Sequence, residues 1–384
     1  MATDHAGTAE AERRFNFSPG PAVLPLEVLQ RIQRELVCLP GVGSSVLEIS
    51  HRSAAFDAIL DSTRRELAGL LGLPETHEIL FLQGGANLQF SMVPMNLLRG
   101  QGSPAGYLLT GTWGAMAAAE AAREGEVRVL WDGRDTGYDR LPEEGIEPPG
   151  DLAYLHFTSN ETIQGVQWKQ LPRCDSPLVC DCSSDFLSRP IDVARHGLIY
   201  ACAQKNAGIA GVTVIIVRRD LLHRSGDTLP KMLSYQVHAE KGSRANTPPV
   251  FAIYVLGLLC EWIRESFGGL ESLAAHNAAK AGLLYDEIDA SGGFYLGHAR
   301  TTCRSEMNVT FRLADEGRER EFLEAAAARG LVELKGHRSV GGIRASVYNA
   351  MPLEGVERLR DFMAEFRGSA KAASTAAGSS GETC

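Results

Sequence analysis

Short apolar runs, each about the length of one buried strand, recur along the chain among stretches whose apolar residues return every three or four positions. The runs EILFL, GYLLT, VRVLW, AYLHFT, PLVCD, LIYACA and VTVIIV predict strands covered on both faces. Helices are predicted from Pro25 along Leu29, Ile32 and Leu36, over Ala54 to Leu71 with Gly72 as the stop, and near Trp113 to Arg123. After Pro248 and Pro249 a long apolar helix leads into another around Leu270 to Ile288. The remainder alternates strands (MNVTFRL, LVELK, VGGIRASVY) with helices over Arg318 to Arg329 and Leu353 to Phe366.

This alternation predicts an α/β fold. A large domain with a mostly parallel sheet covered by helices spans 15–264, including an N-terminal arm, and a smaller C-terminal α/β domain spans 265–368. Residues 1–14 and 369–384 are small, polar and aperiodic, which predicts no fixed structure. A chain of 384 residues is longer than one core usually grows.

The net charge of -9 argues against nonspecific binding to nucleic acid or anionic membranes, so an anionic ligand must meet a local cluster of Arg and His. The longest uncharged apolar stretch, Val250 to Cys260, falls short of the roughly 20 residues that span a bilayer. MATDHAGTAEAERR at the N-terminus has no apolar signal core, and a cytoplasmic protein is expected. The eight cysteines lack paired CxxC spacing and read as reduced, buried thiols. Cys180 and Cys182 flank Asp181, but a structural zinc takes four ligands, and no metal is expected.

Lys205 is the only charged residue between LIYACA and VTVIIV. A lysine at the mouth of a buried strand pair is partly desolvated, which favours the neutral amine that attacks an aldehyde to form a Schiff base. QGGANLQF follows the EILFL strand and precedes a helical run; glycines at such a turn bare backbone N–H groups at a helix N-terminus, a cup for phosphate. No GK[ST] follows, so it is not a Walker loop.

Asp181 ends the PLVCD strand, on the edge where ligands of open α/β sheets gather. A carboxylate there can keep a pyridine nitrogen protonated, while Ser183 and Ser184 are available to cap the next segment and leave it free. Trp113, in GTWG, can stack on a flat cofactor. Ser50 to Arg52 (SHR) and Lys335 to Ser346 (KGHRSVGGIRAS) each place His beside Arg, whose fork matches carboxylate and phosphate.

Together with SPGPA, SHRS, SNETIQG, SSDFLSRPIDV, YACAQKNAG, NTPPVFAIY and KGHRSVGGIRASVYNAMP, these residues make the chain resemble the phosphoserine aminotransferase family, within the fold-type I, class V pyridoxal-phosphate-dependent transferases. The resemblance covers nearly everything except the two tails. It implies pyridoxal 5'-phosphate as cofactor, Lys205 as the Schiff-base lysine and Asp181 as the partner of the pyridine nitrogen. It also implies Ala86, Asn87 and Gln204 around the phosphate, with Asn246 and Thr247 reaching it from the other subunit of a homodimer. Trp113 would stack on the ring and Thr162 would meet its 3-hydroxyl side. His51, Arg52, His337, Arg338 and Arg344 would form the substrate-anion pocket, with Arg344 on the α-carboxylate.

The implied reaction exchanges an amino group between L-glutamate and 3-phosphohydroxypyruvate in L-serine biosynthesis, with the 4-phosphohydroxythreonine step of pyridoxine biosynthesis as a second use. One departure concerns the glycine turn. Many family members read GGG, then Arg or Cys, then GQF, whereas this chain reads GGANLQF, so Asn87 supplies no charge and distal-group recognition rests on the two HR pairs. Rival class V activities fit less well. An alanine- or serine-glyoxylate aminotransferase has no need of two HR pairs, a cysteine desulfurase needs a mobile nucleophilic cysteine, and a silent binding protein would have lost Lys205 or Asp181.

Overall fold

The computed structural model of the chain describes residues 13–142 and 146–379; most of the predicted N-terminal tail, 1–12, lies outside them. Its helices are α1 (Leu26–Leu36), α2 (Ala54–Leu71), α3 (Gly85–Leu97), α4 (Thr112–Ala121), α5 (Tyr235–Glu240), α6 (Val250–Phe267), α7 (Leu270–Ala290), α8 (Glu319–Ala328) and α9 (Leu353–Ser379). Its strands begin with β1 (Phe15–Asn16), β2 (His77–Leu82), β3 (Ala105–Leu109), β4 (Val127–Asp132) and β5 (Tyr154–Thr158). There follow β6 (Asn160–Glu161), β7 (Val166–Gln167), β8 (Leu178–Asp181), β9 (His196–Cys202) and β10 (Thr213–Arg218). The last are β11 (Tyr295–Gly297), β12 (Asn308–Leu313), β13 (Leu331–Val332) and β14 (Ile343–Ser346).

The seven predicted apolar runs form one seven-stranded sheet in the order β2-β10-β9-β8-β5-β3-β4. Only β10 opposes its neighbours, because it returns from β9 through a short turn with no crossover helix. Thr213, the first residue of β10, stands opposite Leu82 and Cys202, the last residues of β2 and β9. The other strands end at this same edge, so one rim of the sheet collects the loops after β2, β3, β5, β8 and β9.

Alternation along the strands divides the core. Phe81, Phe157, Ile199 and Ile216 face α2 and α6, while Tyr107, Tyr154, Tyr200 and Ile215 face α3 and α4. Val309, Phe311 and Leu313 of the antiparallel sheet β11-β12-β14 pack with Phe322 of α8 and Leu359 and Phe362 of α9. The first described strand joins this part: β1 runs parallel to β13, with Phe15 opposite Leu331.

Two features are not legible in the residue pattern. The sequence starts its C-terminal tail at Ser369, yet α9 continues to Ser379; the stretch is rich in alanine, which loses no side-chain entropy in a helix. Lys280 of α7 is fully buried and donates to the carbonyl oxygens of Tyr348 (2.7 Å), Asn349 (3.3 Å) and Met351 (3.1 Å). Burial pushes its pKa down to about 7, but three acceptors require the three donors of the ammonium form. That ammonium pins the segment that carries Tyr348. Among the described residues no helix is long and apolar enough to cross a membrane.

Candidate active site

The turn between β9 and β10 lifts Gln204 and Lys205 off the sheet at the common rim. Lys205 Nζ donates to Thr162 Oγ1 (3.0 Å) and stands 5.7 Å from the centroid of the Trp113 ring. Burial disfavours its ammonium, but the Tyr348 hydroxyl, the Cys202 thiol and the carboxylates of Asp181 and Glu161 outweigh it and raise the pKa above the ordinary lysine value. Desolvation alone favours the neutral amine; these neighbours oppose it, so Nζ must give up a proton before it can attack an aldehyde or accept a proton. Of these groups Cys202 ends the strand that leads into Lys205, while Tyr348, Asp181 and Glu161 come from distant parts of the chain.

Asp181 closes β8 and is buried; its Oδ1 accepts the backbone N–H of Ser183 (2.9 Å). Burial raises its pKa, opposed by the Ser183 hydrogen bonds and the Lys205 cation. Ser183 and Ser184 do not serve as the predicted caps. Ser183 Oγ accepts the Cys202 N–H (3.3 Å), Ser184 Oγ donates to the Asn160 carbonyl (2.6 Å), and one oxygen of Asp181 itself closes the turn.

After β2 the chain turns at Gly84 (φ 92°) and Gly85 (φ 67°), left-handed conformations suited to glycine, and a side chain at 84 would overlap Leu88. Gly85 N–H donates to Thr213 Oγ1 (2.9 Å), which ties the turn to β10. Helix geometry leaves the amides of Ala86 and Asn87 without intrahelical acceptors. The neighbouring helix α4 is different. Its first turn is closed by Glu161, whose Oε2 accepts the Trp113 N–H (3.1 Å) and whose Oε1 accepts the Gly114 N–H (3.0 Å). A protein carboxylate already occupies the positive end of α4, so the α3 terminus is the place for an external anion.

These groups face one cavity of about 440 Å³, lined by Ala86, Asn87, Trp113, Thr162, Asp181, Gln204, Lys205, His337 and Arg344 among others. Four lining residues carry buried polar atoms with no partner in the protein: Thr158 Oγ1, Asn160 Oδ1, Trp113 Nε1 and Arg344 Nε. Such orphans are costly unless a ligand meets them. The donor set suits a molecule with a phosphate at the α3 end, a flat ring beside Trp113, and a carboxylate at Arg344.

The comparisons with known proteins agree with this chemistry. The family model described as Aminotransferase class-V matches residues 14–359. The phosphoserine aminotransferase of Rhodopirellula baltica is 50% identical over 364 residues, covering 94% of this chain and 97% of that protein. The solved phosphoserine aminotransferase from Bacillus circulans subsp. alkalophilus superposes with a TM-score of 0.91 at 48% identity, covering 94% and 99% of the two chains. The chain belongs to the class V aminotransferases, in their phosphoserine aminotransferase family. A further member, from Trichomonas vaginalis and solved with PLP bound, has a TM-score of 0.87 at 38% identity over 91% of this chain and 99% of its own.

For an aminotransferase of this family, not every residue singled out in the sequence reaches the same cavity. His337 and Arg344 line it. His337 hydrogen-bonds through Nδ1 to Ser339 Oγ (2.7 Å), and burial, followed by the Arg344 and Arg338 cations, lowers its pKa. Arg344 is buried and donates Nη1 to the Thr162 carbonyl (3.3 Å). Arg338, next to His337 in the chain, is exposed and is not among the lining residues.

His51, Arg52, Asn246 and Thr247 are not among the residues that line the cavity of their own chain. Arg52 and the 246–247 turn are exposed. Asn246 Nδ2 donates to Gln83 Oε1 (3.0 Å), and Arg244 pairs with Asp57 of α2, the helix that His51 and Arg52 precede. The 244–247 segment thus lies against the end of β2 and the first turn of α2. Glu161 and Tyr348 were missed by the sequence reading. The Tyr348 hydroxyl donates to the Pro19 carbonyl (2.8 Å) and favours the Lys205 charge; its only sequence signal is its place in VYNAMP.

Proposed function

We propose that the cavity holds pyridoxal phosphate and that the enzyme transfers an amino group from L-glutamate to 3-phosphohydroxypyruvate, giving 2-oxoglutarate and O-phospho-L-serine, in the cytoplasm. The observation that carries this reading is the convergence of Lys205, Asp181, Trp113 and the α3 N-terminus on one cavity. The Ala86 and Asn87 amides, with Gln204, hold the phosphate; Trp113 covers the ring; Asp181 keeps its nitrogen protonated; Thr162 meets the 3-hydroxyl side. When bound, the cofactor supplies an electron sink for the substrate Cα. Lys205 would anchor it covalently and, once the substrate amine has displaced it, its neutral Nζ would carry the proton away from that carbon and back.

Arg344 takes the α-carboxylate shared by every substrate. Asn87 contributes no charge, so the distal phosphate falls to Arg338 and to His51 and Arg52 of a second subunit. Two features favour a two-fold dimer. The segment leading to His51 exposes Val37, Val42 and Leu47, an apolar surface that a second copy would cover. Arg52, Asn246 and Thr247 are exposed and, with His51, would complete the neighbour's cavity. The same pocket would admit the longer phosphorylated keto acid of pyridoxine biosynthesis.

This reading separates the arginines. Arg344→Ala is expected to lower kcat/KM for every amino donor by about 10- to 100-fold, the loss of a charge-assisted bond to an anion. Arg52→Ala and Arg338→Ala are expected to lower it for phosphoserine by a similar factor and to leave L-alanine nearly unchanged. Steady-state kinetics with both donors decide the matter, and equal losses for alanine and phosphoserine in all three variants contradict the assignment.

A further inference from the structure

Glu161 is fully buried, and the roles above give it no task. Its two oxygens accept the N–H groups of Trp113 and Gly114, the second and third residues of α4. The backbone is shaped to receive it: a Cβ at Gly111 would overlap the Glu161 carboxyl group, and one at Gly114 would stand 3.4 Å from Oε1. The same hairpin holds α4 a second time, because Gln164 Oε1 accepts the Thr112 N–H (3.4 Å) and Gln164 Nε2 donates to Thr112 Oγ1 (2.9 Å). Thr162, next in the chain, accepts from Lys205 and offers its carbonyl to Arg344.

We infer that Glu161 is a positioning residue: its carboxylate clamps the first turn of α4 and so fixes the Trp113 ring in the orientation in which it covers the cofactor. The inference rests on the reading that Trp113 stacks on pyridoxal phosphate. Two converging amide donors require two acceptor oxygens. A glutamine offers one oxygen and turns an NH2 group toward the other amide, and an aspartate is one methylene short. Negative charge is also favoured at a helix N-terminus. Burial, helped by the Asp181 charge, raises the Glu161 pKa to about 7, while the two amides and the Lys205 cation pull it down and favour the carboxylate.

The test uses the holoenzymes of wild type, Glu161→Gln, Trp113→Phe and the double variant. Retention of pyridoxal phosphate after dilution is followed by its visible absorbance, the tilt of the bound ring by visible circular dichroism, and folding by the melting temperature. Glu161→Gln is expected to shed cofactor roughly tenfold faster and to weaken the visible dichroism, the scale of one lost hydrogen bond to a charged acceptor. Because it acts through Trp113, the double variant is expected to shed cofactor no faster than Trp113→Phe alone. Glu161→Asp keeps the charge but not the reach; it is expected to show the same change at smaller size and replaces Glu161→Gln if that variant does not fold.

Wild-type retention and dichroism in the Glu161 variants overturn the inference even if their melting temperature falls, and so do effects that multiply in the double variant. If Trp113→Phe itself holds cofactor as wild type does, the reading of Trp113 fails and takes the inference with it. A Glu161 failure beside an affected Trp113→Phe sinks the inference alone.

Discussion

Lys205→Ala abolishes transamination, with a loss of at least about four orders of magnitude, and leaves the chain folded. Both the covalent anchor and the proton carrier at the substrate Cα are the same Nζ, and general acid-base catalysis alone contributes roughly 10²- to 10⁴-fold. The fold survives because Lys205 sits in a turn beyond the strand ends and its side chain makes a single hydrogen bond among the described residues, to Thr162 Oγ1. The charge left behind is also tolerable. Removing the cation strands Asp181 and Glu161 as neighbouring buried carboxylates, but Glu161, with a pKa raised to about 7, can take up a proton. Visible absorbance of the bound cofactor, turnover and far-ultraviolet circular dichroism check this directly. Unchanged absorbance and turnover sink the assignment of Lys205.

A mixed dimer of two inactive variants recovers about a quarter of wild-type activity. If Asn246 and Thr247 complete the phosphate cup of the neighbouring subunit, each site needs Lys205 from one chain and the 246–247 turn from the other. Lys205→Ala removes the first; Asn246→Arg with Thr247→Arg blocks the second. Both turn residues are exposed in the single chain, so the bulky replacements cost its fold little. In a mixed dimer one site carries both defects and the other carries none. Random reassortment of equal amounts makes about half the dimers mixed, each with one working site of two, hence roughly a quarter overall. The variants are denatured and refolded together and apart, with wild type as the control and differential tags to confirm mixing. Activity no higher than that of the separate variants, with mixed dimers present, means that the turn serves its own subunit.

How far the sequence carried this account depends on whether each feature is local. The strand pair around Lys205, the Gly84–Gly85 turn and the position of Asp181 at a strand end all follow from short patterns, because apolar runs, left-handed glycines and the C-terminal rim of a parallel sheet are set within a few residues. The protonation of Lys205 was not legible. It depends on Asp181, Glu161 and Tyr348, which are distant in sequence and reach Lys205 only in the folded chain. Glu161 was hidden for the same reason: within SNET it looks like any acidic residue, and only the fold shows it plugging α4. His51 and Arg52 were singled out by their chemistry, but a single sequence does not say which copy of the chain a surface residue serves.

The central claim is that this cavity moves amino groups to a phosphorylated keto acid. The most direct measurement incubates the purified holoenzyme with L-glutamate and a panel of keto acids, each with and without a distal phosphate, and follows 2-oxoglutarate release. The account predicts that 3-phosphohydroxypyruvate is aminated to O-phosphoserine with a kcat/KM at least about 10- to 100-fold above that for pyruvate or glyoxylate, the worth of the charge-assisted contacts to the phosphate. Equal or faster amination of glyoxylate or pyruvate contradicts it.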